Sequence, residues 1–178
     1  YVGTIQPRKN LVRLVEAFAR PSSDLAGLDL VLAGQTGWLA DDIFTAVQES
    51  GLEGRVHFLG YVAQEDLPAL LSAAECFVMP SLYEGFGLPL LEAMACGTPV
   101  ICSNAGSLPE VAGDAALQFS PTDVEELAAA LIRLVRDTAI RQELVERGYR
   151  RCRQFTWQRC AEQVLAVLTE VGEQGRFD

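Results

Sequence analysis

The sequence predicts an α/β protein built on a doubly wound, six-stranded parallel sheet with extra helices at the C-terminal end. Short apolar runs rich in β-branched residues alternate with longer segments of helical period, which is typical of parallel strands joined by crossover helices. Each crossover is expected to be right-handed, and this favours the strand order 3-2-1-4-5-6. With 178 residues, of which 49% are hydrophobic, the chain has room for one domain with its own core.

The predicted elements follow one another along the whole chain. The six strands are expected at 1–3, 28–33, 56–59, 76–79, 99–102 and 116–119, and the helices between them from Leu11 and at 41–50, 65–74, 88–96 and 108–112. Asn10 is a candidate cap for the first helix, because its side-chain oxygen can accept a hydrogen bond from a free helix amide. From Asp123 onward the chain is expected to form further helices, with Phe155 and Trp157 as packing anchors.

Charge and cysteine content exclude several classes of function. A net charge of -10 and a pI near 4.6 argue against nucleic acid or an anionic membrane patch as partner, because either would be repelled. A phosphate ligand would need a local cluster of cations, since charges more than about 8 Å apart are largely screened. Five cysteines without a CxxC pair fit neither a disulfide framework nor a zinc site, and they favour a cytoplasmic location.

The predicted strand order brings two unusual loops together. A doubly wound sheet binds its ligand beyond the carboxyl ends of the first and fourth strands. Segment 3–10 leaves the first strand and contains Arg8 and Lys9, the only lysine of the chain, while segment 80–89 leaves the fourth. These two cations are the positive charge that a phosphate ligand requires. The alternative is a solvated basic turn at the start of a helix.

The second of these loops has the composition of an anion site. Pro89 fits the first position of a helix, and Gly85 and Gly87 allow the backbone to approach a ligand closely. A helix N-terminus carries about half a positive charge together with free amides, so it can bind a diphosphate without a metal ion. The simpler interpretation is that the glycines only permit a tight turn.

Two glutamates flank this loop, with seven residues between them. Glu84 precedes the turn and Glu92 follows one turn into the helix, where its side chain leans back toward the helix end. Carboxylates beside a diphosphate are useful only if they accept hydrogen bonds from hydroxyls, which a sugar on one side and a ribose on the other would supply. The alternative is that Glu84 is solvated and that Glu92 stabilises the helix dipole, by about 0.3 to 1 kcal/mol.

Taken together, these motifs resemble the donor-domain signature of the family 4 glycosyltransferases, which have the GT-B architecture. The resemblance covers nearly the whole chain. It is carried by 32–34, 58–62, 84–89, Glu92, 93–101 and 108–110.

The resemblance implies that residues 1–178 form a single Rossmann-like, nucleotide-sugar-binding domain, the C-terminal half of an enzyme whose N-terminal acceptor-binding domain lies outside this chain. It implies that Glu84 holds hydroxyls of the donor hexose, Glu92 the ribose, and Lys9 the diphosphate. The remaining implied contacts to the donor come from Gly3, Gly34, Val62, Gly85, Phe86, Gly87 and Leu88, with backbone near Val62 reading the base.

The implied reaction is transfer of a hexose, with retention, from a nucleotide sugar to a hydroxyl acceptor in polysaccharide or glycolipid synthesis. Lys9, Arg8 and the helix end would stabilise the leaving diphosphate in place of a metal ion, so that no metal and no further cofactor are expected. Glu84 would orient the sugar. The full-length enzyme is expected to associate peripherally with a membrane, and this chain alone is expected to be inactive.

The donor is expected to be GDP-mannose rather than a UDP- or ADP-sugar, because segment 3–11 looks more like the bacterial mannosyltransferases. Two positions depart from the family pattern. Thr4 stands where many members have an arginine, and Arg8 is the expected substitute. Segment 105–107 stands where a glycine pair is frequent, and we interpret this as a tolerated change near the cleft.

Two other functions compete with this interpretation. A non-catalytic nucleotide-sugar-binding domain would keep the same fold, and the missing arginine at Thr4 leaves this alternative open. A dinucleotide-dependent oxidoreductase is disfavoured, because segment 3–7 lacks the GxGxxG pattern and the second strand ends in Ala33 and Gly34 rather than in an acidic residue.

Overall fold

The structure is a computed structural model that describes residues 1–174. Within that range it contains five strands: β1 (Leu30–Ala33), β2 (Val56–Gly60), β3 (Phe77–Met79), β4 (Val100–Ser103) and β5 (Ala116–Phe119). The helices are α1 (Leu11–Phe18), α2 (Asp41–Glu49), α3 (Leu67–Ser72), α4 (Leu88–Ala95), α5 (Leu108–Ala112), α6 (Val124–Arg136), α7 (Thr138–Cys152) and α8 (Trp157–Gln174). A single 3₁₀ turn, Pro7–Lys9, precedes α1. The predicted α/β class with parallel strands is confirmed.

The strands form two parallel sheets instead of the predicted single sheet of six. β1 pairs with β2, and β4 lies between β3 and β5. The predicted first strand, 1–3, is reduced to isolated parallel bridges beside β1, such as Val2 with Ala33. Gly3 has a φ of +143°, outside the range of a regular strand, and this interrupts the ladder after one bridge. The continuous order 3-2-1-4-5-6 is therefore not confirmed, although the neighbours described within each sheet are those predicted.

Loops and side chains connect the two halves of the molecule. The Leu82 amide donates to the Arg8 carbonyl at 2.9 Å, and the Asn10 side-chain amide donates to the carbonyls of Pro80 (2.9 Å) and Pro121 (2.7 Å). Asn10 therefore does not cap α1 through its side chain, which corrects the prediction made from the sequence. Its φ of 59° is left-handed, and asparagine tolerates this conformation better than most residues. These hydrogen bonds hold the loop before α1 against the loop after β3.

The core consists of two apolar clusters. The first joins α1, α2 and α6 to strands of both sheets, and its fully buried residues include Leu32 of β1, Ile101 of β4 and Leu127 of α6. The second packs α4 and α5 against β3 and β4. Leu90 of α4 is completely buried there, and burying a leucine side chain contributes about 1.5–3 kcal/mol. The second cluster therefore fixes the position of the α4 N-terminus relative to the sheet.

The C-terminal helices differ in how they are held. Asp123 caps α6 and Asp137 caps α7, each by accepting hydrogen bonds from amides of the first helical turn. By contrast, residues 157–172 of α8 are all exposed. Trp157 is 81% exposed, so the prediction that it is a packing anchor is wrong. None of the helices within residues 1–174 has the length and apolar character that crossing a membrane requires.

Candidate functional site

The two predicted loops meet, and their charged side chains are in direct contact. The Lys9 Nζ lies 2.5 Å from Oε1 of Glu84, and the Arg8 guanidinium lies 3.1 Å from Oε2. Lys9 and Arg8 belong to the 3₁₀ turn before α1, and Glu84 lies between β3 and α4. These residues are 75 or more positions apart in sequence, so only the fold brings them together.

Glu84 is buried, and its surroundings favour its ionised form. Its side chain is 9% exposed and that of Lys9 is 11% exposed. Burial alone would raise the pKa of Glu84, but hydrogen bonds from Lys9 and Ser81 and the positive charges of Lys9 and Arg8 outweigh burial and hold that pKa below its ordinary value. Glu84 is therefore a carboxylate at neutral pH, in a place where an isolated charge would be costly.

Two serines that sequence reasoning missed orient this carboxylate. The Ser81 hydroxyl donates to Oε1 of Glu84 at 2.7 Å, and the Ser103 hydroxyl donates to the Ser81 carbonyl at 2.5 Å. Both serines are completely buried. Ser103 is the last residue of β4, so a strand of the sheet supports the Glu84 loop from below. A serine in an apolar segment carries no local signal of this role.

Arg8 is the more accessible of the two cations. Its side chain is 40% exposed, and it also donates to the Tyr83 carbonyl at 2.9 Å. Within residues 1–174, Lys9 bonds through its side chain only to Glu84. Since an ammonium has three donors and a guanidinium five, both cations keep donors available for an anion.

The N-terminus of α4 presents free backbone amides next to this cluster. Gly87 caps the helix in the left-handed conformation, with φ of +97°, and Pro89 is the second residue of α4, one position after the first helical position predicted for it. Within the described part of the chain, the amides of Gly85, Phe86, Gly87 and Leu88 donate to no other residue. Free amides at a helix N-terminus, together with the helix dipole, form a site for an anion.

The glycines near the candidate site differ in whether the fold requires them. A Cβ at Gly87 would lie 2.7 Å from the Leu108 side chain, whereas a Cβ at Gly85 would meet nothing within 4 Å. The fold therefore requires glycine at position 87 but not at position 85. At Gly106, with φ of +59°, a Cβ would lie 2.8 Å from the Glu84 carbonyl. Gly106 thus lets the loop after β4 approach the Glu84 loop closely.

The same loop after β4 holds the Glu84 loop by hydrogen bonds. The Ser107 hydroxyl lies 3.0 Å from the carbonyl oxygens of both Glu84 and Phe86, which share its single O–H donor. Phe86 in turn contacts the ring of Phe155 edge to face, with centroids 5.7 Å apart. Segment 105–107, predicted from the sequence to be a tolerated change near the cleft, supports the loop that carries Glu84.

A cleft of about 350 Å³ contains three more of the predicted residues. Its lining includes Gly3, Gly34 and Val62, together with Tyr61, whose side chain is 73% exposed. A Cβ at Gly34 would lie 2.0 Å from the Gly3 carbonyl, so the two backbones touch and no side chain fits between them. Backbone therefore forms the wall of the cleft at Gly3 and Gly34, while apolar residues such as Val62 and Leu67 line other parts of it. Thr4, which stands where the family has an arginine, also lines this cleft.

Glu92, unlike Glu84, is exposed and has no ion-pair partner among residues 1–174. It is exposed on the second turn of α4, and no residue within 1–174 bonds its carboxylate. Its position near the α4 N-terminus is the predicted one. Among residues 1–174 there is no group of three His, Cys, Asp or Glu side chains that could hold a metal ion. The site can bind an anion through its cations and free amides. Its two carboxylates can accept hydrogen bonds from hydroxyl groups.

Known proteins resemble this chain in sequence and in fold. The family model for glycosyl transferases group 1 matches residues 1–151. O-antigen chain mannosyltransferase B of Escherichia coli is 45% identical over 166 residues, which cover 93% of this chain and 44% of that protein. Sucrose-phosphate synthase from Thermosynechococcus elongatus is 35% identical with a TM-score of 0.85, over 98% of this chain and 45% of the other.

A third similar protein was solved with a bound nucleotide. Anabaena Alr3699/HepE in complex with UDP is 25% identical with a TM-score of 0.84, over 95% of this chain and 47% of the other. The chain thus spans less than half the length of each of these three proteins.

Proposed function

The chain belongs to the group 1 glycosyltransferases, and from this we propose that it is the donor-binding half of a retaining GT-B enzyme of family 4. The observation that carries the proposal is the meeting of Lys9, Arg8 and Glu84 beside the free amides of the α4 N-terminus. The family excludes the oxidoreductase alternative. A non-catalytic nucleotide-sugar-binding domain would bind the same donor and would differ from the proposed enzyme only in lacking turnover.

In this proposal, the diphosphate of the donor binds at the N-terminus of α4 and the nucleoside binds in the cleft. The diphosphate is held by Lys9, Arg8 and the amides of 85–88, which supply positive charge without a metal ion. The nucleoside lies toward Gly3, Gly34 and Val62 in the cleft. A UDP complex of the similar protein HepE supports a nucleotide ligand for this fold.

The two glutamates take the hydroxyl groups on either side of the diphosphate. A carboxylate offers about four lone-pair positions, and those of Glu84 accept from Ser81, Lys9 and Arg8, which leaves room for a hexose hydroxyl. Glu92 has no partner within the described residues and accepts from the ribose. In this arrangement Glu84 orients the sugar and does not attack it.

We assign GDP-mannose as the donor in preference to UDP- or ADP-sugars. The support is the 45% identity with the E. coli O-antigen mannosyltransferase over nearly the whole chain. The product would be a bacterial polysaccharide or glycolipid. During transfer, charge develops on the leaving diphosphate, and Lys9, Arg8 and the α4 N-terminus stabilise it electrostatically.

The acceptor belongs to a second, N-terminal domain of the whole enzyme, which we place in the cytoplasm at the membrane surface. The chain covers 44% of the mannosyltransferase that it resembles, which supports the assignment of a partner domain. Since the acceptor is held mainly by that domain, we expect this chain to bind donor weakly and not to turn it over.

Titration calorimetry with GDP-mannose, UDP-glucose and ADP-glucose tests the proposal. We expect GDP-mannose to bind this chain more tightly than the other two. Tighter binding of UDP-glucose or ADP-glucose would overturn the choice of donor and keep the site. If none of the three binds even at millimolar concentration, the donor-binding function is contradicted.

A further inference from the structure

Glu84 places an internal anion on the two cations that the proposed function assigns to the diphosphate. Its two carboxylate oxygens contact Lys9 at 2.5 Å and Arg8 at 3.1 Å. Within residues 1–174, no other acidic side chain pairs with either cation. One carboxylate therefore supplies the negative charge that both cations face.

We propose that Glu84 competes with the diphosphate group for Lys9 and Arg8, and that this competition keeps the affinity for a free nucleoside diphosphate low. The inference rests on the proposed function and adds a control of affinity at the same site. The ligand concerned is the nucleoside diphosphate that remains after the hexose has been transferred. Weak binding of this product would favour its release.

Burial makes the competition strong. The side chains of Glu84 and Lys9 are only 9% and 11% exposed, so solvent and salt screen their interaction little. A carboxylate at hydrogen-bond distance cancels much of the positive potential that an ammonium projects toward a phosphate. The Ser81 hydroxyl donates to the carboxylate of Glu84, and the Ser107 hydroxyl holds its backbone carbonyl, so both the side chain and the loop are kept in place when an anion arrives.

The competition distinguishes the product from the donor. A nucleotide sugar brings hexose hydroxyls, which donate to Glu84 and offset its repulsion of the diphosphate. A nucleoside diphosphate brings the repelled charge without these hydroxyls. Removal of the Glu84 charge should therefore tighten binding of the nucleoside diphosphate far more than binding of the nucleotide sugar.

The test compares wild-type protein with Glu84→Gln, which keeps the shape and an oxygen acceptor for Ser81 but removes the charge. Calorimetry measures the Kd of two pairs of ligands, GDP with GDP-mannose and UDP with UDP-glucose. The comparison uses the pair that binds the wild-type protein. We expect the Kd of the nucleoside diphosphate to fall about tenfold in Glu84→Gln. The Kd of the nucleotide sugar should fall less or rise.

Glu75→Gln is the matched control. Glu75 pairs with Arg141 and precedes β3, at the opposite end of the strand from the Glu84 loop. This variant removes the same unit charge, but away from Lys9 and Arg8. We therefore expect it to leave the affinities for both ligands unchanged. A nucleoside diphosphate that binds Glu84→Gln no more tightly than wild type, while the variant keeps its fold by circular dichroism, overturns the inference. If no nucleotide binds wild type, the proposed function fails first.

A second measurement needs no variant. Lys9 is the only lysine of the chain, so selective ¹³C,¹⁵N-lysine labelling gives a single side-chain NMR signal for this residue. We expect that signal to shift on addition of the nucleoside diphosphate and to saturate with the Kd found by calorimetry. Binding without a shift would show that Lys9 does not meet the diphosphate and would overturn the competition.

Discussion

At the scale of single residues, Glu84 and Glu92 illustrate two kinds of carboxylate in one candidate site. Glu84 accepts hydrogen bonds from three side chains and is buried, whereas Glu92 is exposed without a partner among residues 1–174. Loss of an exposed side chain that has no hydrogen-bond or ion-pair partner among residues 1–174 changes the stability of the fold little. An effect of Glu92 substitution on ligand binding would therefore report a direct contact.

We expect Glu92→Ala to weaken donor binding and to leave the unfolding free energy within about 0.5 kcal/mol of wild type. A lost hydrogen bond to a charged acceptor corresponds to about 1.5–3 kcal/mol, or more than tenfold in Kd. Calorimetry and urea denaturation measure the two quantities. Glu146→Ala, at an exposed position of α7, is the control and should change neither. Unchanged donor affinity in Glu92→Ala would remove the ribose role.

The pH dependence of stability should reflect Glu84. Because the folded-state pKa of Glu84 is held below its ordinary value of 4.5, its ionised form stabilises the fold fully above that value. This contribution is lost as the pH falls below 4.5 and through the lower folded-state pKa. We expect urea denaturation to give wild type an advantage over Glu84→Gln that is constant near neutral pH and shrinks in acid. An advantage that grew in acid would contradict the ionised, paired carboxylate.

At the scale of elements, the loop between β3 and α4 is determined by its conformation as well as by its residue types. Gly87 combines a left-handed backbone with a buried neighbour, Leu108, on the side where a Cβ would point. Gly85 has neither constraint. The same residue type therefore serves the fold at one position and leaves space beside free amides at the other.

We expect Gly87→Ala to lower the unfolding free energy by about 1–3 kcal/mol, because it adds backbone strain and a contact with Leu108. Gly85→Ala should change stability by less than about 0.5 kcal/mol. It should nevertheless weaken donor binding, since its methyl group would occupy space beside the amides of the helix N-terminus. Thermal unfolding and calorimetry on both variants test this contrast. Equal stability losses would show that Gly85 is also required by the fold.

At the scale of the whole molecule, α8 contributes little to the core. Its apolar residues Leu165 and Leu168 are 65% and 63% exposed, and the side-chain hydrogen bonds of Gln158 and Thr169 stay within the helix. The stability of the domain therefore depends on the two clusters formed by the sheets with α1, α2, α4, α5 and α6.

Deletion of 157–178 should shift the thermal midpoint by less than about 2 °C. Phe155, which contacts Phe86 at the candidate site, remains in the shortened chain. Leu134→Ala, in the fully buried face of α6, provides the comparison and should cost about 2–5 kcal/mol. A fall in the midpoint as large as that of Leu134→Ala would show that α8 belongs to the folding unit. Scanning calorimetry measures both.

The alternation of apolar runs with helical segments was sufficient to predict the α/β class, since strands and helices have different local periods. The same reading predicted that Lys9 and Glu84 would meet, because parallel strands place their carboxyl ends at one edge. It did not predict that Gly3 would interrupt the first strand, because a backbone angle depends on the contacts around it.

Only the tertiary structure decided how the candidate site is held. Ser81, Ser103 and Gly106 support Glu84 across loops that are distant in sequence, and Asn10 bridges two carbonyls instead of capping its helix. Local patterns record which conformations a segment prefers and which residue types it offers. Contacts between segments depend on distances and directions that arise only when the sheets and helices pack together. The sequence therefore determined the chemical groups of the site, and the fold decided which of them touch.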